Sequence, residues 1–374
     1  MSAVVLADSA SDLVAATGRA RMSLSAREAW FARMHMGKNG YGKFVAAAAI
    51  YAGFTVNLLW WRFETFSRWQ WLLPVNVCLA ASGCYVLSRR WVSSFAGSLL
   101  AGAIYGFGPF MLGLAKFHPT AGFLAALIPW LFCPAAFGHK TKWRRNAGLL
   151  VILPLLAIVI FFQLSAHYRF FPVSTQARFR SDDLVSLFAP LVIAERDPIG
   201  TTLIGFYHVP IAALIMGCAM LLAARRFHII AIFALGAALA CWRPIFGVSP
   251  VMWLTLPVLC CSVVIGAGIQ GLILAGPADR RWLLAGSFVQ AGFAIAALLL
   301  ATKYFQVFLS LADNYARLFI QTGEMYILGA VAMMILFFVA RAKLRIDHVR
   351  WAVVCLSAAV DIFLGARFII DRIL

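Results

Sequence analysis

LLPVNVCLAASGCYVLSRRWVSSFAGSLLAGAIYGFGPFMLGL, from Leu72 to Leu114, holds two long apolar runs separated by one pair of arginines. Each run is near the roughly 20 residues that an α-helix needs to cross a hydrocarbon core about 30 Å thick. Lipid cannot satisfy backbone polar groups, and a helix satisfies its own. A barrel strand would alternate apolar and polar residues, whereas these runs are continuous. The pattern recurs outward in both directions. Eleven spans are predicted, at about 44–61, 71–88, 93–114, 120–137, 147–165, 201–223, 227–241, 251–273, 282–301, 325–340 and 351–369. The expected fold is therefore all-α: a polytopic membrane protein with about eleven transmembrane helices.

Basic residues orient the spans. With the N-terminus in the cytoplasm, the cytoplasmic segments are 1–43, 89–92, 138–146, 224–226, 274–281 and 341–350. They hold 20 of the 32 Lys and Arg residues and 5 of the 14 acids. The remainder holds 12 basic residues against 9 acids. This is the positive-inside pattern, and it puts the C-terminus outside. The net charge of +18 then reads as membrane orientation plus attraction to anionic lipids. Nucleic acid is not expected as a partner, because a nucleic-acid protein gathers its basic residues on one soluble face.

Composition leaves little else. At 63% hydrophobic, the chain has no room for a large soluble domain. Residues 1–43 read as a basic cytoplasmic tail, and 44–374 as one transmembrane domain. The tail lacks the order of a cleaved signal peptide, because its basic residues follow the apolar start. Ser25 and Glu28 have capping-box spacing, and Trp30, Phe31 and Met34 share one face. A short amphipathic helix on the cytoplasmic leaflet fits these residues, and so does a solvated tail. The eight cysteines all fall in or at the ends of spans without a CxxC pair, so neither a disulfide framework nor a metal centre is expected.

The outer loops are unequal. The segment 166–200 carries His167, Arg178, Arg180, Asp182 and Asp183, then an apolar run to Ala194. Asp182 to Ala194 is expected as a helix lying on the membrane, with Ser181 as N-cap and two acids in its first turn. A second outer loop is expected at 303–324, with Lys303, Tyr304, Asp313, Tyr315, Arg317 and Glu324. These loops either roof a substrate cavity or pack on each other through internal ion pairs.

A family resemblance enters at Leu72 to Phe137. One helix ends in Tyr85, Leu87, Arg89 and Arg90. A Gly-containing helix follows with Gly102 and Tyr105 and ends in the turn Phe107-Gly108-Pro109. A short outer loop with His118 leads to a helix with the step Pro129-Trp130. The stretch SDDLVSLFAP (181–190) precedes a Gly-led helix from Ile199-Gly200, and Pro250 and Leu256-Pro257 mark a later loop. Over about 70–275 this resembles bacterial GT-C-type membrane glycosyltransferases, in particular the YfhO-like group. The resemblance implies a GT-C-like helix bundle in a bacterial inner membrane. It also implies a polyprenyl-phosphate-linked sugar as donor and an acceptor outside the cytoplasm. The group carries an acid, most often Asp, in its first outer loop. Here that loop is only Arg62 to Gln70, and its single acid is Glu64.

Glycosyl transfer needs a carboxylate to deprotonate the acceptor and cations to hold the leaving phosphate. Glu64 lies between Arg62 and Arg68; it is one choice of base, and these arginines can hold the phosphate. The alternative is an interfacial ion cluster set in a belt of Trp60, Trp61, Trp69 and Trp71. Asp182 and Asp183 can act as base or hold a divalent cation, the one cofactor considered. A helix N-terminus explains them nearly as well. Arg178, Arg180 and Arg243 are phosphate candidates, because Arg forks onto phosphate oxygens. His118 and His167 can touch an anionic ligand, although a single surface His more often packs or hydrogen-bonds.

Asp361 lies inside the last span, about a turn and a half before Arg367. An intramembrane acid is a functional suspect by default. Pairing with Arg367 is the structural reading, and proton or ion movement the functional one. Gln163, His208, Gln270 and Gln290 add sparse polar positions. Three functions remain open: a membrane glycosyltransferase-like protein, a non-catalytic subunit or scaffold with membrane protein partners, and a transporter of lipid or small solute. No HExxH, GxSxG or phosphate-loop motif is present.

Overall fold

The computed structural model describes residues 40–66, 71–117, 119–137, 185–192, 205–223, 227–244, 249–275, 279–307, 312–342 and 347–373. The chain divides into two units, Met1–Phe44 and Val45–Leu374. Of the first, only residues from Gly40 onward are described, so the amphipathic helix expected around Trp30 lies outside the described residues. The rest of this subsection concerns the second unit.

Among the described residues there are helices and no strands. In chain order they are α1 (Gly40–Leu59), α2 (Leu72–Ser88), α3 (Phe95–Gly106), α4 (Pro109–Phe117), α5 (Pro119–Phe137), α6 (Val185–Phe188), α7 (Pro210–Ala223), α8 (Phe227–Cys241), α9 (Thr255–Ile273), α10 (Arg280–Val307), α11 (Ala312–Arg341) and α12 (Asp347–Ile373). Short 3₁₀ turns cover Trp60–Thr65 and Pro250–Leu254. Six segments are long and apolar enough to cross a membrane: Tyr41–Phe63, Phe95–Leu114, Pro250–Ile273, Arg280–Lys303, Ala316–Arg341 and His348–Asp371. Leu72–Ser88, Ala121–Pro134, Pro210–Leu222 and Phe227–Cys241 are shorter apolar helices. The stretch 147–165 lies outside the described residues.

Helix faces follow the lipid rule. In α1 the buried positions Ala47, Tyr51, Thr55 and Leu58 recur every three or four residues, while Val45, Ile50 and Val56 are exposed. In α10, α11 and α12 the exposed set includes Phe288, Ile295, Leu299, Val331, Phe338 and Leu356. Such faces are stable against acyl chains and unfavourable in water.

Lipid gives no hydrophobic drive between helices, so they associate through close packing and hydrogen bonds. α7 packs on α9 where Gly217 and Gly268 let backbones touch; a Cβ on either would collide with a backbone carbonyl, of Val264 or of Ala213. Polar tips tie other neighbours. Tyr51 donates to the Leu99 carbonyl (2.7 Å), Tyr105 to that of Ala125 (2.7 Å), and Trp130 Nε1 to that of Leu79 (3.0 Å).

Three expectations change here. The span 93–114 is two helices, α3 and α4, broken at Phe107-Gly108. The Gly108-Pro109 step explains this, because Pro109 has no N–H to continue the helical ladder. In the span 201–223, residues 205–209 are not helical and α7 starts at Pro210. The loop expected at 303–324 is mostly helix: α10 runs to Val307 and α11 starts at Ala312, and Glu324 is an exposed helical residue.

Side-chain bonds show which helix ends lie together. At one end of the bundle, Gln270 Oε1 accepts from the N–H groups of Ser93 and Ser94 (2.8 and 3.2 Å), and Arg350 donates to the Ala275 carbonyl (2.8 Å). The entry to α3, the end of α9 and the start of α12 thus meet. At the opposite end of α12, Asp371 receives Arg62 from the turn after α1: Nη2 donates to its carbonyl (3.1 Å) and lies 3.8 Å from its carboxylate. α1 and α12 therefore run in the same direction.

Candidate functional site: a polar core where two helices break

The backbone from Gly205 to Val209 is not helical, yet it is buried. α7 then starts at Pro210 and is only 14 residues long. At 1.5 Å per residue that is about 21 Å, short of the hydrocarbon thickness. Irregular backbone at membrane depth persists only where protein satisfies it. The groups that do so identify the site.

Asp361 supplies the acceptors. Its Oδ2 accepts from the N–H groups of His208 (2.8 Å) and Val209 (2.7 Å), and its Oδ1 lies 2.9 Å from His208 Nδ1. The carboxylate caps α7 from another helix, at the end where the first N–H groups lack partners and the dipole favours negative charge. Pro210 at the first helical position needs no partner for the N–H it lacks. Gln290 supplies the donors: its Nε2 lies 3.2 Å from the carbonyls of both His208 and Val209. Asp361 and Gln290 each sit near the middle of their apolar helices. The His208 and Asp361 side chains are 1% and 0% exposed.

The neighbours shape this core. Tyr207 has φ 56°, a left-handed conformation that a non-glycine residue adopts at a cost. Its hydroxyl donates to the Phe107 carbonyl (2.6 Å), which joins the start of α7 to the break between α3 and α4. Gly365 makes room for it, because a Cβ there would run into the Tyr207 ring. A Cβ on Gly329 would similarly meet the Gln290 amide. Tyr326 packs edge-on against the His208 ring at 4.9 Å between centroids. Its hydroxyl donates to the Phe188 carbonyl (2.7 Å), and its ring stacks on Phe188 at 5.7 Å.

That contact corrects the expected surface helix at Asp182–Ala194. Its described part, Val185–Val192, has Ser186, Ala189, Pro190, Leu191 and Val192 buried. A Cβ on Gly205 would strike the Ser186 carbonyl and Pro190, so this segment also packs on the irregular entry to α7. It enters the bundle to the level of Tyr326, near the middle of α11. Its apolar residues find protein there, which suits them as well as lipid does.

Asp361 does not pair with Arg367, because a residue six positions on points to a different face of the helix. Its partner is His208. Arg367 instead reaches Asp371 one turn further (3.9 Å) and lies over the Trp61 ring at 4.4 Å. Arg62 is on the same Asp371, so the ion cluster seen here joins Arg62, Arg367 and Asp371 beside Trp61, while Arg68 and Trp69 of the expected cluster lie outside the described residues. Glu64 belongs to the Trp60–Thr65 turn. Arg243 is exposed just beyond α8. Arg178, Arg180, Asp182, Asp183, His118 and His167 lie outside the described residues, and with them the divalent cation considered for Asp182 and Asp183. Among the described residues no three or more His, Cys, Asp and Glu side chains gather as a metal site.

His208 and Gln290 had only sparse polarity to mark them. The usable signal was Pro210, a helix-start residue inside an apolar run, with Gly205 just before it.

Long apolar helices with lipid-suited faces and a polar core around broken helices define the class as a multi-pass α-helical membrane protein. No family model matches the chain, and no match is found among curated proteins or solved structures.

Proposed function

We propose that this chain is an eleven-span membrane protein with a GT-C-like bundle, acting on its outer face as a glycosyltransferase with a polyprenyl-phosphate-linked sugar donor. The observation that carries this reading is the insertion of Val185–Val192 into the bundle, bonded through Phe188 to Tyr326. This segment belongs to the stretch SDDLVSLFAP that carries the resemblance. Its burial makes it part of the bundle instead of a solvated connector, and Asp182 and Asp183 immediately precede it. Among the described residues, six helical segments long enough to cross and four shorter apolar ones overlap ten of the eleven expected spans, and the parallel course of α1 and α12 suits an odd number of crossings.

In this reading Glu64, or Asp182 with Asp183, takes the proton from an acceptor hydroxyl. The acceptor oxygen bonds the anomeric carbon, and the bond from that carbon to the phosphate oxygen breaks. Polyprenyl phosphate leaves, held by Arg178 and Arg180. Arg62 is engaged by Asp371 and serves as a tether between α1 and α12. That engagement also favours the second reading, a non-catalytic subunit on the same bundle.

The test is sugar transfer from a polyprenyl-phosphate donor by the full chain in reconstituted membranes. Glu64→Gln, or Asp182→Asn with Asp183→Asn, should abolish transfer with folding intact, because an amide keeps the shape and accepts no proton. Arg178→Ala should chiefly raise the KM for donor. No transfer by the wild type from any donor tried, or full activity in the carboxylate variants, would favour the non-catalytic subunit over the enzyme.

A further inference from the structure

Two side chains of the polar core each keep a buried atom without a protein partner. They are His208 Nε2 and Gln290 Oε1. Neither side chain is free to turn away. His208 is fixed through Nδ1 to Asp361, and Gln290 through Nε2 to two carbonyls. Turning the Gln290 amide over would set its oxygen against those carbonyls. Thr322 Oγ1, one turn before Tyr326 along α11, is a third buried polar atom without a partner. Buried polar groups are nearly always satisfied, so each exception calls for an occupant or a reason.

Charge gives the direction. Asp361 Oδ2 accepts two backbone hydrogen bonds, and Oδ1 shares one with His208 Nδ1, which carries the shared proton when Asp361 is ionised. With His208 neutral, the proton sits on Nδ1 and Nε2 is a bare acceptor. The cluster then carries one negative charge at mid-depth, which the low dielectric opposes. A proton on Nε2 cancels that charge and turns the orphan acceptor into a donor. Gln290 Oε1 is the unused acceptor of the same cluster. One internal water, donating to Oε1 and accepting from Nε2, completes both groups in the way that buried waters do.

We propose that His208 and Asp361 form a proton-binding site in the interior of the bundle, with a bound water linking His208 Nε2 to Gln290 Oε1. Binding adds H⁺ to the Nε2 lone pair and breaks no other bond. Among the described residues, the titratable groups facing His208 are Asp361 from α12 and Tyr326 from α11; the neighbouring Tyr207 turns its hydroxyl to the Phe107 carbonyl, and α10 presents the uncharged amide of Gln290. Among the described residues, Asp361 is the one charged side chain of the cluster, so it sets the affinity for the proton. The site does not depend on sugar transfer.

The test uses the full chain in lipid nanodiscs with ¹⁵N-labelled histidine, reading the imidazole nitrogens by solid-state NMR. His208→Gln assigns the signal among the seven histidines. If that variant does not fold, the through-space contact with the Tyr326 ring assigns it instead. Nε2 should pass from bare to protonated as the pH is lowered over the interval scanned. The protonated form should exchange magnetisation with water. Asp361→Asn should abolish the protonated form across the interval. One unchanging protonation state of Nε2 in the wild type would overturn the proposal, and so would the same titration in Asp361→Asn. Loss of the glycosyltransferase reading leaves this measurement unaffected.

Discussion

At the scale of single residues, Asp361 shows how a membrane acid is made tolerable. Two backbone N–H groups and one imidazole surround it, and it stands at a helix N-terminus where a negative charge is favoured. Removing one partner of such a buried pair leaves the other uncompensated, at a cost of about 3–5 kcal/mol. Asp361→Asn and His208→Leu should therefore be strongly coupled in a double-mutant cycle read by unfolding in detergent. Asp361→Asn and Arg367→Gln should add, because Arg367 belongs to Asp371. Additivity in the first cycle, or coupling in the second, would contradict this assignment. Asp361 stood out in the sequence as a charge in an apolar run. His208 did not, because nothing in a linear chain tells which of seven histidines lies beside it.

At the scale of elements, the short helix α7 and the inserted segment Val185–Val192 belong together. The buried non-helical entry to α7 is satisfied by side chains of α10 and α12, and the inserted segment by one of α11. Cysteine reporters separate this from a segment lying on the membrane surface. In a background with the eight native cysteines replaced, Arg243→Cys should react rapidly with a membrane-impermeant maleimide, since Arg243 is exposed. Ser186→Cys should stay unlabelled until the protein unfolds, since Ser186 is fully buried. Equal labelling rates would remove the inserted segment. Most helices were readable from continuous apolar runs. The breaks at Phe107-Gly108 and before Pro210 were less so, because Gly and Pro are tolerated inside membrane helices when neighbours re-satisfy the backbone.

For the whole molecule, the grouping of helix ends makes a topological prediction. Segments 89–94, 270–275 and Arg350 share one end, and Arg62 and Asp371 lie at the other. Reporter fusions after Arg145 and after Gln176 should report the cytoplasm and the outer side respectively, and a fusion at the C-terminus the outer side. A single side for the first two would remove the crossing between them and with it the count of eleven.

Residue order alone was enough for the class of this protein and for an expectation of which loops lie on the cytoplasmic side. Both are sums over many residues: an apolar run long enough to span, and an excess of Lys and Arg in alternate loops. Tertiary structure decided the polar core. Lipid penalises every unpaired backbone group, so His208 and Val209 had to find Asp361 across more than 150 residues of chain, with Gln290 closing the same cluster from α10. Such pairing depends on which helix faces meet, and apolar composition is nearly the same on every face.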